Sequence, residues 1–188
     1  MSKKESRMLS TNLSENINTA REIFTIGKSF DYIERELYLG ATPAYLLSLN
    51  GFTQTTVLQR IISDLQNESY TRDLQIKDYR TYVNAKIGYA QVEFVSDWER
   101  IVKMVLSGTC LILFEGSAEG ILLDTRTYPT RGTQEPDTEK VTRGAKDGFV
   151  ENFLVNTTLI RRRIRSPKLT FRINEVGTDS KSDVVIAY

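Results

Sequence analysis

The stretch RGAKDGFVENFLVNTTLIRRRIRSPK, residues 143–168, is the most informative part of this chain. Its pattern predicts a helix over residues 147–165, which Ser166-Pro167 ends because proline cannot continue a helix. At about 100° per residue, one set of positions falls on a single face of that helix. We expect this core stripe to consist of Phe149, Phe153, Asn156, Ile160 and Ile164.

The arginines of this helix fall mostly outside the predicted core stripe. Arg161 and Arg165 lie roughly opposite it, Arg162 lies on its flank, and Arg163 lies near its edge. Two interpretations stay open. The arginines form a solvated face near a helix carboxyl end, where cations are favoured. Alternatively, they form an interface with a partner or another subdomain, because the planar guanidinium pairs carboxylates in two-pronged fashion.

The second interpretation has consequences that can be tested. Candidate carboxylate partners lie in the preceding polar linker, at Glu135, Asp137 and Glu139. On this view, reversing the charges of Arg161 and Arg165 together weakens assembly and leaves the melting temperature nearly unchanged. Apolar residues off the core stripe, Leu154, Val155 and Leu159, also favour contact on a second side of the helix.

Composition excludes several classes of function. The 188 residues have a formal net charge of +1, so no global field attracts nucleic acid, although residues 143–168 have a local charge of +5. The chain has no histidine and one cysteine, Cys110, in an apolar run that predicts a buried residue. We expect no metal site and no cofactor. Catalysis is not expected either, since the Walker, Gly-x-Gly-x-x-Gly and Gly-x-Ser-x-Gly motifs are absent.

Periodicity predicts alternating helices and hairpins along the rest of the chain. A helical face at Leu13, Ile17, Ala20 and Phe24 precedes a hairpin over residues 30–49, and a helix follows it over residues 57–65. A short helix over residues 79–86 and a strand over residues 91–95 come next. The run Ser96-Asp97-Trp98-Glu99 is typical of a capping box with Ser96 as the N-cap. The helix it begins ends at Gly108, and strands follow over residues 109–114 and 120–125.

We therefore predict an α+β fold with two small subdomains, each a mixed sheet of hairpins packed with helices. Residues 1–28 form an amino-terminal helical segment, and residues 29–127 form the first subdomain. Residues 128–142 are a polar linker, and residues 143–188 hold the helix and a closing hairpin. The last strand stops in mid-pattern, and no apolar run approaches the roughly 20 residues that span a bilayer. We accordingly expect the soluble part of a longer chain.

Residues 143–168 resemble a segment in the A subunits of spore nutrient-germinant receptors, the GerA family. The residues that match are Arg143, Gly144, Gly148, Phe149, Glu151, Asn156, Leu159, Ile160, Arg161, Arg162, Arg163, Ile164 and Arg165. Ala145 departs from the family's usual proline. The linker resembles the family's Arg-x-x-x-Glu-Pro-x-x-Glu motif, here Arg131, Glu135, Pro136 and Glu139, and the likeness covers most of the chain beyond about residue 30.

The resemblance implies a cytosol-facing domain of a receptor in the spore inner membrane. It implies B and C subunits as partners, with other A subunits, and attachment to the membrane through a missing carboxyl-terminal part. The expected role is signal transmission and receptor assembly in spore germination. The alternative is a module that binds a small nutrient in a cleft between the two subdomains.

Overall fold

The computed structural model describes residues 7–66, 79–88, 90–127 and 148–188. Within these ranges the chain forms five helices and seven strands. In chain order they are α1 (Leu13–Phe24), β1 (Tyr32–Leu39), β2 (Thr42–Leu49), α2 (Thr55–Gln66), α3 (Tyr79–Lys86), β3 (Val92–Val95), α4 (Trp98–Val105), β4 (Cys110–Phe114), β5 (Gly120–Leu123), α5 (Phe153–Arg163), β6 (Phe171–Val176) and β7 (Ser182–Ala187). The predicted helices and hairpins are thus present, and the predicted linker, residues 128–142, lies outside the described residues.

The strands form two separate sheets. A five-stranded sheet has the order β1-β2-β4-β5-β3, and β6 pairs with β7 in a two-stranded sheet. The α+β class is confirmed. The expectation that each sheet is mixed is wrong, because every pair of neighbouring strands is antiparallel, as hairpin connections require.

Helices cover both faces of the five-stranded sheet. Helices α1 and α4 pack on one face, against alternate strand residues such as Tyr45, Leu47 and Leu111. Helices α2 and α3 pack on the other face, against residues such as Leu46 and Ile112. The central strands are apolar on both faces because both faces are covered. The core of the described chain therefore lies on the two faces of this sheet.

Cys110 is buried in the second of these clusters, as predicted. Burial raises the pKa of its thiol well above the usual range, because an apolar environment disfavours the thiolate.

The N-cap of α4 differs from the predicted one. Asp97, not Ser96, is the N-cap, and its side chain accepts a hydrogen bond from the Arg100 amide at 2.8 Å. The backbone of Ser96 has another partner, since its carbonyl accepts from the Leu9 amide. The helix terminates as expected, with Gly108 at a φ of +101°.

The helix of residues 143–168 begins later than predicted. Asn152 is the N-cap of α5, and its side chain accepts from the Leu154 amide at 2.9 Å. Phe149 and Ile164 therefore lie outside the helix, where a projection at 100° per residue does not apply. They are exposed by 68% and 50%, so their assignment to a core stripe is wrong. The buried residues of α5 are Thr157, Thr158 and Arg161.

Candidate functional site

A buried ion pair joins α5 to the amino-terminal end of β1. The Arg161 Nε donates to Asp31 Oδ2 at 2.8 Å, and the two side chains are only 1% and 5% exposed. The residues are 130 positions apart in sequence. A buried pair of opposite charges is tolerated when both partners make further hydrogen bonds, and both do so here.

The Arg161 guanidinium uses all three of its nitrogens. Its Nη1 donates to the Ser166 carbonyl at 2.7 Å, and its Nη2 donates to the Leu169 carbonyl at 2.8 Å. The Tyr32 and Phe171 rings lie against it, at 5.4 and 5.0 Å from Cζ to the ring centroids. A lysine ammonium could not reproduce this planar set of contacts. Arg161 therefore fixes the turn that leads from α5 into β6.

Asp31 is the second half of this arrangement, and Ser29 extends it to β6. The Ser29 hydroxyl donates to Asp31 Oδ1 at 2.5 Å and accepts from the Phe171 amide at 2.8 Å. The Phe30 amide also donates to the Phe171 carbonyl at 3.1 Å. We call Ser29, Asp31, Arg161 and Phe171 the junction cluster. It connects the five-stranded sheet to the two-stranded sheet through hydrogen bonds that water does not reach.

The ring of Tyr32 closes one side of the junction cluster. Burial raises the pKa of its hydroxyl to about 12, although the nearby Arg161 charge acts in the opposite direction. The phenol is therefore neutral at physiological pH, and the charges at the junction are those of Asp31 and Arg161.

A second contact places α5 on the turn that follows β2. Gly51 has a φ of +80°, and a Cβ built there would overlap Thr158 Oγ1. The Thr158 hydroxyl donates to the Leu154 carbonyl at 2.6 Å, so it is held in place. The Asn50 amide in turn donates to the Asp31 carbonyl at 2.8 Å. Glycine is needed at position 51 both for its φ and for this close approach.

The start of α5 repeats the start of α1. Asn156 accepts from the Val150 amide at 2.8 Å and donates to the Val150 carbonyl at 2.6 Å. Asn16 makes the same two bonds with Ser10, at 3.0 and 2.6 Å. Each of these asparagines lies four residues after an asparagine N-cap. Asn156 thus holds the segment before the helix in place through these two hydrogen bonds.

The correspondence extends to the arginines. Arg21 lies nine residues after its N-cap, as Arg161 does, and contacts Glu34 and Glu36 of β1. Both helices therefore attach to the β1 region through an arginine and a carboxylate. Arg21 is 44% exposed, so its pairs contribute less than the buried one.

Apart from Asn156, which holds the start of α5, and Arg161, the predicted site residues fall into three groups. Glu135, Pro136, Glu139, Arg143 and Gly144 lie outside the described residues. Gly148 and Glu151 lie in the segment before α5, and Glu151 is exposed. Arg162, Arg163 and Arg165 are exposed at the carboxyl end of α5, where an interface remains a prediction.

Arg161 requires a correction. Of the two interpretations, the solvated face is wrong for this residue, because its guanidinium is buried against Asp31; its position opposite the predicted core stripe is wrong for the same reason. Its contact is internal to the chain. We therefore expect that reversing its charge disrupts the fold, so a nearly unchanged melting temperature is no longer the expected result for the double variant of Arg161 and Arg165.

A cleft opens beside the junction cluster. It has a volume of about 840 Å³ and lies between the segment of residues 26–34 and the start of β6, with Tyr188 at its rim. In the parts of the chain that the structure covers, no group of three or more acidic or cysteine residues is placed to hold a metal ion. Over the same parts, no helix has the length and apolar character needed to cross a membrane.

Comparison with known proteins places these features in a family. Residues 19–188 match the model of the Bacillus/Clostridium GerA spore germination protein family. The chain is 37% identical to stage V sporulation protein AF of Bacillus subtilis over 163 residues, which cover 87% of this chain and 33% of that protein. It is 30% identical to spore germination protein B1 of Bacillus subtilis, over 96% of this chain and 37% of that protein.

A solved structure shares the fold. The chain is similar to the N-terminal domain of the A subunit of the Bacillus megaterium spore germinant receptor GerK3, with a TM-score of 0.75 and 22% identity. The similarity covers 98% of this chain and 67% of that domain's chain. The chain spans roughly a third of the length of these two curated relatives. Because the family model matches most of its residues, the chain belongs to the GerA spore germination protein family.

Proposed function

We propose that this chain is the cytosol-facing domain of the A subunit of a nutrient germinant receptor in the spore inner membrane. In this role it transmits a conformational signal and holds the receptor subunits together. The match to the GerA family and the shared fold with the GerK3 domain support the assignment. Catalysis is not part of the proposal, because the charged groups of the junction cluster are buried in pairing with each other.

The observation that supports signal transmission is the buried pair of Asp31 and Arg161. A movement of β6 and β7 reaches the five-stranded sheet through this pair and through the bond from the Phe171 amide to Ser29. Coupling between distant sites requires an element with two arrangements that both sites influence. A directional, buried set of hydrogen bonds is suited to that role, since shifting it changes several bonds at once.

Arg161→Lys in the full-length receptor tests this proposal. Lysine keeps the charge but lacks the planar guanidinium that binds Asp31, Ser166 and Leu169. We therefore expect weaker coupling between the two sheets. Nutrient-triggered germination, normalised to the amount of receptor in the spore membrane, should fall on the order of tenfold. Arg35→Lys, at an exposed position of β1, is the control. Normal germination at a normal receptor level in Arg161→Lys spores would exclude signal transmission through the pair.

Arg165→Glu tests the assembly role separately. The residue is exposed just beyond α5, so we expect the melting temperature of the isolated chain to change little. If this surface contacts the B or C subunit or another A subunit, co-purification of the receptor subunits should decrease, because a rim charge reversal disfavours association. Undiminished co-purification would argue against an interface at Arg165.

The cleft beside the junction cluster supports a second candidate function, the binding of a small molecule. Its volume of about 840 Å³ lies within the range of known ligand sites, and it adjoins both sheets. A ligand there would contact the residues on each side of the junction. The two functions are compatible, because ligand binding at the junction would be a source of the transmitted signal.

A further inference from the structure

The residue that closes α1 has an unusual backbone conformation. Thr25 is the C-cap of α1, with a φ of +50° and a ψ of +41°, in the left-handed region. Glycine or asparagine usually takes this place at the end of a helix, because a side chain branched at Cβ is strained there. A strained conformation of this kind persists only where the surrounding structure holds it. The contacts of the loop after α1 therefore have to supply that constraint.

The loop between α1 and β1 is anchored in the core at both of its ends. The Phe24 ring, just before the loop, is fully buried, and it lies 5.5 Å from the Tyr32 ring just after it, centroid to centroid. The Thr25 amide donates to the Arg21 carbonyl, which ties the first residue of the loop to the helix. Between these anchors the loop backbone is able to change conformation without unpacking the core.

The middle of the same loop makes the hydrogen bonds to the two-stranded sheet. The Ser29 hydroxyl accepts from the Phe171 amide at 2.8 Å, and the Phe30 amide donates to the Phe171 carbonyl at 3.1 Å. The Lys28 amide donates to the Thr25 carbonyl at 3.0 Å, so the turn between Thr25 and Ser29 is tight. The position of β6 therefore constrains the backbone at Thr25.

We propose that the loop of residues 25–31 is a strained hinge that favours opening of the junction cluster. While Ser29 and Phe30 are bonded to Phe171, Thr25 is held in its left-handed conformation. When those bonds break, Thr25 relaxes, and the strain released offsets part of the cost of opening. This inference rests on the proposed signal transmission and names the element that has two arrangements. The strain raises the population of the open arrangement, so a smaller nutrient signal is needed to reach it.

Thr25→Gly tests this inference, because glycine adopts the left-handed conformation without strain. Amide hydrogen exchange of the 188-residue chain reports opening of the junction at Phe30 and Phe171, and global unfolding at Ile112 in β4. We expect exchange at Phe30 and Phe171 to slow by about fivefold or more, which corresponds to the usual cost of a non-glycine residue in this conformation. Thr25→Asn should act in the same direction, since asparagine tolerates the conformation and adds no chain flexibility.

Lys181→Gly is the matched control. Among the residues that the structure describes, Lys181 is the other non-glycine residue with a positive φ, at +43°, and it lies in the turn between β6 and β7. Removing strain there should leave exchange at Phe30 and Phe171 unchanged. If neither Thr25 variant slows exchange at these two amides more than the control does, the hinge inference is wrong, even where Ile112 reports a gain in global stability.

The unmodified chain gives a second check. Relative to their intrinsic rates, Phe30 and Phe171 should exchange faster than Ile112, because the junction opens without global unfolding. Equal protection at the three amides would mean that the junction does not open by itself, which also contradicts the inference. Reduced germination of Arg161→Lys spores would still support signal transmission in that case, so the hinge and the proposed function can fail separately.

Discussion

Arg161→Met should lower the free energy of unfolding by about 3–5 kcal/mol, the usual cost of removing one partner of a buried ion pair. Methionine fills much of the same volume but leaves Asp31 buried without its cation. It also leaves the Ser166 and Leu169 carbonyls without their donor. Since a domain of this size has a total stability of roughly 5–15 kcal/mol, the effect would be easily measured by urea denaturation.

Arg165→Met is the matched control for that result. It removes the same charge four residues later, at an exposed position. Its effect should lie within about 0.5 kcal/mol of zero, as for other surface substitutions. Equal losses for the two variants would mean that burial of Arg161 does not account for its contribution.

Gly51→Ala should be the other strongly destabilising substitution. The φ of +80° costs an alanine about 1–2 kcal/mol. The overlap of its Cβ with Thr158 Oγ1 adds roughly 1–3 kcal/mol, as in other overpacked sites. Gly27→Ala separates the two contributions, because Gly27 has a φ of +88° but no atom within 4 Å of a built Cβ.

A rescue experiment tests the contact with α5 directly. In a Thr158→Ala background the overlapping oxygen is absent, so the cost of Gly51→Ala should decrease toward that of Gly27→Ala. If the cost of Gly51→Ala is the same with and without Thr158, α5 does not press on the turn after β2. The comparison uses the free energies of unfolding, measured by urea denaturation, of Gly51→Ala, Gly27→Ala, Thr158→Ala and the double variant Gly51→Ala/Thr158→Ala.

Local patterns in the sequence predicted most of the elements. Helix α3 spans the predicted residues 79–86, and α1, α2, α4 and the hairpins follow the predicted periodicity. These elements follow from local sequence, because their apolar side chains recur with the period of a helix or of a strand. Burial in the five-stranded sheet reinforces the same pattern.

The buried face of α5 could not be predicted in that way. Its buried side chains are two threonines and an arginine, whereas the pattern assigned burial to four apolar residues and Asn156. The carboxylate that pairs with buried Arg161 belongs to Asp31, which is 130 positions away in the sequence. Ser29, Asp31 and Gly51 were therefore not identified as site residues, because only the tertiary contact gives them a role.

One signal in the sequence does point to the junction. Asparagine, asparagine and arginine recur with the same spacing at Asn12, Asn16 and Arg21 and at Asn152, Asn156 and Arg161. The apolar residues around them differ, so a search for apolar periodicity misses the repeat. The spacing reflects a shared way of starting a helix and of attaching it to a carboxylate near β1.

A double-mutant cycle on Asp31 and Arg161 tests the central claim most directly. The free energy of unfolding is measured for the unmodified chain, Asp31→Ala, Arg161→Met and the double variant. If the pair joins α5 to the five-stranded sheet, the coupling free energy should be about 2 kcal/mol or more, within the range for residues in direct contact. A coupling free energy near zero would contradict the account, because the two side chains would then contribute to stability independently.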